Sequence, residues 1–204
     1  MFDGKFRAPI DKAVRPIGAG LRRTGLTPDH LTVVGLLVGI GAAVAIGSGN
    51  LTLGLILVIL AAVPDLLDGA LAKASDSASQ RGAFFDSTID RITDALLLGG
   101  IAWYLAGEES PYLTLLPYSI MAVSALISYQ RAKAESLGIE AKGGLMERAE
   151  RIIAICIGLL FEPLLIPILW IMLVLTSITA IQRFVKIWRQ AAVAPATQAR
   201  IELR

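Results

Sequence analysis

Apolar residues gather in six blocks, at positions 31–46, 51–63, 95–106, 112–127, 152–161 and 164–181, with short polar or charged stretches between them. Each block reaches roughly 20 residues once its flanks are counted, the length a helix needs to cross the hydrocarbon core of a bilayer. The pattern predicts an all-α integral membrane protein with six transmembrane helices. Residues 1–24 follow a different rhythm. Basic positions (Lys5, Arg7, Lys12, Arg15, Arg22, Arg23) alternate with apolar ones (Phe2, Phe6, Ile10, Val14, Ile17, Leu21) spaced mostly three to four apart, which predicts an N-terminal amphipathic helix lying in the headgroup region. The expected divisions are this juxtamembrane helix at 1–24, a six-helix domain at 25–190 and a frayed cytoplasmic tail at 191–204.

Composition agrees, with 55% hydrophobic residues and only 18% charged in a chain of 204, more apolar than a soluble domain. The formal charge of +2 conceals an asymmetry. If the helices alternate in direction, the connections on one side are 47–50, 107–111 and 162–163, and none of them carries lysine or arginine. All 19 basic residues then fall on the other side, which the positive-inside rule makes cytoplasmic, with both termini there, in a multi-pass cell-membrane protein. Some thirty residues with six basic side chains precede the first block, too long a lead for a cleaved signal peptide, so nothing is expected to be removed. The single cysteine, Cys156, can form no internal disulfide and is expected to pack.

At the inner ends of the second and third blocks this greasy chain keeps four carboxylates. Asp65 follows the start of the second block by 14 residues, which places it roughly 21 Å from the outer end at a rise of about 1.5 Å per residue. Asp68 lies one turn nearer the water, on the same face. Asp86 and Asp90, at i and i+4, share a face of the third helix, so an antiparallel pair can gather all four. Four anions together would repel one another unless cations bound between them, and oxygen-only ligation points to magnesium or manganese. The bland reading has the aspartates pairing with Lys73, Arg81 and Arg91. Asp94, a further turn in, is expected to be a hydrogen-bond partner behind that set.

Other polar positions have local explanations or join this end. Thr27 with Pro28 is a strong helix start, as N-cap and first helical residue; Asp29 and Thr32 beside it could also touch a polar ligand. His30 suits an interfacial side chain better than a metal ligand. Gly35 and Gly39 are spaced for close helix packing. Arg131 and Lys133 at the end of the fourth helix, Arg148 and Arg151 at the start of the fifth and Arg183 on the sixth come to one depth, and convergence of several on one phosphate is expected. Lys186 and Arg189 are expected to snorkel to headgroups.

The run Asp65-Leu66-Leu67-Asp68-Gly69-Ala70-Leu71-Ala72-Lys73, then Gly82, Asp86 and Asp90, resembles the signature of the CDP-alcohol phosphotransferase (CDP-alcohol phosphatidyltransferase) family, D-x-x-D-G-x-x-A-R, eight residues, G, three, D, three, D. It departs from that signature at one position, where Lys73 stands for arginine. Gly-Leu-Thr-Pro-Asp at 25–29, Ile-Ser-Tyr at 127–129, Gly-Gly-Leu-Met-Glu-Arg-Ala-Glu-Arg at 143–151 and Gln182-Arg183 look like the actinobacterial phosphatidylinositol phosphate synthases within it.

The resemblance implies a six-helix membrane enzyme, typically a homodimer, that joins a cytidine-diphosphate lipid to a polar alcohol and releases CMP. By position, Asp65, Asp68, Asp86 and Asp90 would hold a pair of divalent metals, and Asp90 would also take the proton of the attacking hydroxyl. Asp29, Thr32, Gly69, Lys73 and Ser79 would contact CDP-diacylglycerol. Arg131, Lys133, Arg151 and Arg183 would hold the phosphate of an inositol phosphate acceptor; the order of arginine and lysine at 131 and 133 is exchanged, and lysine at 73 lacks the planar fork of arginine. The expected function is phosphatidylinositol phosphate synthesis in phospholipid biosynthesis. The alternatives are phosphatidylglycerophosphate synthesis from glycerol 3-phosphate and, in another class, cation transport, since acids within membranes often mark ion paths.

Overall fold

The computed structural model describes residues 27–75, 79–107, 111–141 and 143–193, and leaves out the side chains at 64–75, 111 and 193. The amphipathic helix expected over 1–24 and the tail beyond 193 lie outside the described residues. The described chain is all-helical, without strands: α1 (Pro28–Gly47), α2 (Leu51–Ser75), α3 (Gln80–Ala106), α4 (Leu115–Ser136), α5 (Arg148–Leu160) and α6 (Leu165–Val193), with 3-10 turns at Pro111–Thr114 and Glu162–Leu164.

Three stretches are long and apolar enough to cross a membrane: Pro28–Gly47, Tyr112–Ser136 and Glu162–Ala192. The other helices miss that standard for different reasons. The apolar part of α2 is the shorter run Leu51–Val63; α3 is long but carries Arg81, Asp86, Asp90, Arg91 and Asp94 on its first half; α5 has only 13 residues.

Local chemistry sets the helix starts. Thr27 caps α1 as its sequence predicts, its hydroxyl accepting from the His30 N–H while His30 Nδ1 accepts from the Thr27 N–H, a reciprocal capping box. This gives His30 a structural task at the start of α1. Ser79 caps α3 through the Gly82 N–H at 3.0 Å. Helix α2 runs to Ser75 and α3 starts at Gln80.

Helix α1 packs on α2 and α3, α4 on α6 and α3, and α5 on α6 and α2. One end of the bundle is closed and apolar. Ile46, Ile101, Leu105, Leu165 and Leu169 are fully buried there. A Cβ at Gly100 would stand 2.5 Å from the Ala43 carbonyl oxygen, so only glycine permits that approach of α3 to α1. Trp103 packs over Gly47, and the Tyr104 hydroxyl donates to Glu162 at 2.6 Å, tying α3 to the α5–α6 turn. The ends of α1 and α3 and the α5–α6 turn therefore gather at this end, which leaves the polar chemistry at the other.

Candidate active site

At the other end α1 and α3 approach each other near their N-termini, where Asp29 Oδ2 lies 3.9 Å from Arg81 Nη2, both well exposed. Thr32, on the next turn of α1, is buried and its hydroxyl donates to the Pro28 carbonyl at 3.1 Å. It lines a narrow cleft of about 20 Å³ together with Gly35, Leu36, Ala61, Asp86, Ile89, Asp90, Thr93 and Arg148, contributed by four helices. A cleft of that size holds about one water in this closed form of the chain.

The spacing expectation for α3 holds, since both Asp86 and Asp90 line this cleft. Ala61 of α2 lines it too. Positions 65 and 68 follow Ala61 by four and seven residues in the same unbroken helix, register positions on one face. The side chains of Asp65, Asp68, Gly69 and Lys73 lie outside the described residues. No cluster of three or more histidine, cysteine or acidic side chains occurs among the described residues, where only half of the aspartate set is present. The half that is described suits a hard divalent cation: carboxylate oxygens, one turn apart, facing a polar crevice beside an aspartate-bearing helix.

The basic side chains separate into an exposed group and a buried one. Arg131 makes an i, i+4 pair with Glu135 at 2.9 Å and, like Lys133, is exposed. Arg148 Nη2 reaches Asp90 Oδ1 at 3.0 Å, and its Nε reaches Asp94 Oδ1 at 3.3 Å. Arg151 Nη2 donates to Asp94 Oδ2 at 2.6 Å, with only 6% of its side chain exposed. Arg91 lies 3.5 Å from Asp90 and bonds to the Ser128 hydroxyl of α4.

Arg183, 4% exposed, donates through Nη1 to the Ile127 carbonyl and through Nη2 to the Gly143 carbonyl and Glu147. Its Nε and the Gln130 side-chain oxygen are buried with no hydrogen-bond partner among the described residues. The charges of Arg131 and Arg151 both bear on Arg183, from α4 and α5 respectively. Next to them the segment before α5 is strapped onto α6. Thr179 accepts from the Leu145 and Met146 N–H groups at 3.1 and 3.0 Å, and Gly143 turns there with φ +100.

Two features escaped the sequence reading. Arg148 bridges Asp90 and Asp94, and Asp94 holds two arginines. The matching spacings, i, i+4 for the acids and i, i+3 for the arginines, carried that signal, because each places its pair on one face of its helix.

Comparison with known proteins adds chemistry to this geometry. Residues 25–188 match the family model described as CDP-alcohol phosphatidyltransferase. The phosphatidylinositol phosphate synthase of Streptomyces avermitilis is 36% identical over 207 residues, covering 95% of this chain and 85% of that protein. The crystal structure of Mycobacterium tuberculosis phosphatidylinositol phosphate synthase with CDP-DAG bound superposes with a TM-score of 0.80 at 33% identity, covering 87% of this chain and 94% of that one. The same enzyme in complex with manganese and citrate gives a TM-score of 0.80 at 32% identity, covering 86% and 88%.

Proposed function

The chain belongs to the CDP-alcohol phosphatidyltransferase family, and on that premise we propose that it makes phosphatidylinositol phosphate by transferring the phosphatidyl group of CDP-diacylglycerol to an inositol phosphate. The observation that carries this reading is the cleft itself. Two signature aspartates, Thr32 and an arginine from α5 share it.

In this reading Asp29, Thr32 and Ser79, at the adjoining starts of α1 and α3, face the cytidine diphosphate together with Gly69 and Lys73. Asp65, Asp68, Asp86 and Asp90 hold a pair of divalent metals, magnesium or manganese, which when bound neutralise the diphosphate and the departing CMP. Asp90 takes the proton of the inositol hydroxyl as that oxygen attacks the phosphorus carrying the diacylglycerol. A phosphorus–oxygen bond forms to inositol, the one to the bridging oxygen breaks, and CMP leaves with the electron pair. Arg148 Nη2 stands 3.0 Å from Asp90 Oδ1 and orients that carboxylate.

On the acceptor side Arg131, Lys133, Arg151 and Arg183 form a cationic pocket whose mutual repulsion a phosphate relieves. Opening it asks Arg183 to release Glu147, the carboxylate it holds at 3.1 Å. The remaining helices complete six spans with both termini in the cytoplasm, and two chains assemble as a homodimer. That arrangement keeps acyl chains in lipid while a water-soluble acceptor enters from the basic side.

Purified protein, given CDP-diacylglycerol, inositol phosphate and magnesium, is expected to release CMP, and chelation of the metal to stop it. Release supported by glycerol 3-phosphate and not by inositol phosphate would make the acceptor glycerol 3-phosphate and overturn the inositol assignment.

A further inference from the structure

We propose that Asp94 is a positioning residue for the acceptor phosphate, holding the guanidinium groups of Arg148 and Arg151 in the orientation they present to that anion. The proposal rests on the reading above that the acceptor is a phosphorylated alcohol.

Asp94 lies one turn beyond Asp90 on α3, with 11% of its side chain exposed. Each of its oxygens takes one arginine: Oδ1 accepts from Arg148 Nε at 3.3 Å and Oδ2 from Arg151 Nη2 at 2.6 Å. Arg148 is also held through Nη2 by Asp90, so it is fixed at two nitrogens of one plane. A guanidinium is a flat fork of five donors, and anchoring one edge fixes where the others aim. A lysine or a loosely held arginine would have to lose that freedom when the anion arrives.

Among the described residues around the Asp94–Arg151 pair the cleft is walled by Leu97, Leu98, Ile152, Ile155 and Met172, apolar side chains that cannot anchor a guanidinium, and holds about 10 Å³ of space, too little for a water network. Asp94 thus aims two arginines at once. With both of its oxygens engaged by arginine, it serves the cationic side of the site instead of backing the metal ligands.

The experiment compares the full chain with Asp94→Asn and Asp94→Glu, measuring KM for inositol phosphate and for CDP-diacylglycerol by CMP release, Mn²⁺ affinity by electron paramagnetic resonance, and melting in detergent. For Asp94→Asn the acceptor KM is expected to rise roughly 10- to 100-fold, the range seen when outer partners of a site are lost. Donor KM and Mn²⁺ affinity should stay within about twofold. Asp94→Glu keeps the charge but displaces both arginines by a methylene, so a smaller rise of the acceptor KM alone is expected; this variant decides the matter if the asparagine protein does not fold. An unchanged acceptor KM, an equal rise in both KM values, or Mn²⁺ affinity falling in parallel would overturn the proposal. The parent protein separates this outcome from failure of the functional reading: if it uses glycerol 3-phosphate and not inositol phosphate, the inositol assignment falls and the same KM comparison is made with glycerol 3-phosphate.

Discussion

The two ends of the bundle solve opposite problems with the same helices. At the end with no basic residues, α1 and α3 meet through Gly100 and the Ala43 backbone, Trp103 covers Gly47, and Ile46, Ile101 and Leu105 fill the space, so the interaction is shape alone. At the other end Arg151 and Arg183 are buried too, yet each is held by a carboxylate, and Asp86, Asp90 and Arg148 line the cleft between α1, α2, α3 and α5. A buried charge without its partner costs several kcal/mol, so an arrangement like this persists where it has chemical use. The contrast predicts that substitutions at the apolar end change how much protein folds, whereas those at the polar end change what the folded protein does.

The largest effect belongs to Asp90→Asn. Loss of the base should lower CMP release by roughly 10²- to 10⁴-fold, with melting in detergent little changed. Retained turnover would remove Asp90 as the proton acceptor and blur the contrast. At the opposite end Gly100→Val should cost about 1–3 kcal/mol of stability by overpacking against backbone that cannot yield. Its readout is a lower melting temperature and yield, with both KM values unchanged in whatever folds. A specific loss of substrate affinity there would mean the ends are coupled.

Smaller effects sharpen the picture. Tyr104→Phe removes the hydrogen bond to Glu162 and should cost about 1 kcal/mol with activity intact. Lys73→Arg restores the family residue, and its CMP release should equal or exceed that of the parent. Inactivity of both forms would count against catalysis by this chain.

Much of this division was legible in the sequence. The distribution of lysine and arginine separated the ends, Thr27-Pro28 marked the start of α1, and the i, i+4 step of Asp86 and Asp90 put both on the face that lines the cleft. Partner choice was not legible. Spacing says which face Arg151 occupies but not that Asp94 is the carboxylate opposite it, because that depends on how far α3 slides along α5. Nor could it show that Arg183 spends its donors on the Ile127 and Gly143 carbonyls, a consequence of the turn at Gly143 and of Thr179 holding the following residues.

The central claim, that the carboxylates of the polar end together bind divalent cations, is tested most directly by titrating the purified protein with Mn²⁺ and following the free ion by electron paramagnetic resonance. The account predicts saturable binding that falls sharply in Asp86→Asn and in Asp65→Asn, one from each helix, and that survives Gly100→Ala in the protein that folds. Binding that is absent, or that neither aspartate substitution weakens, would contradict it.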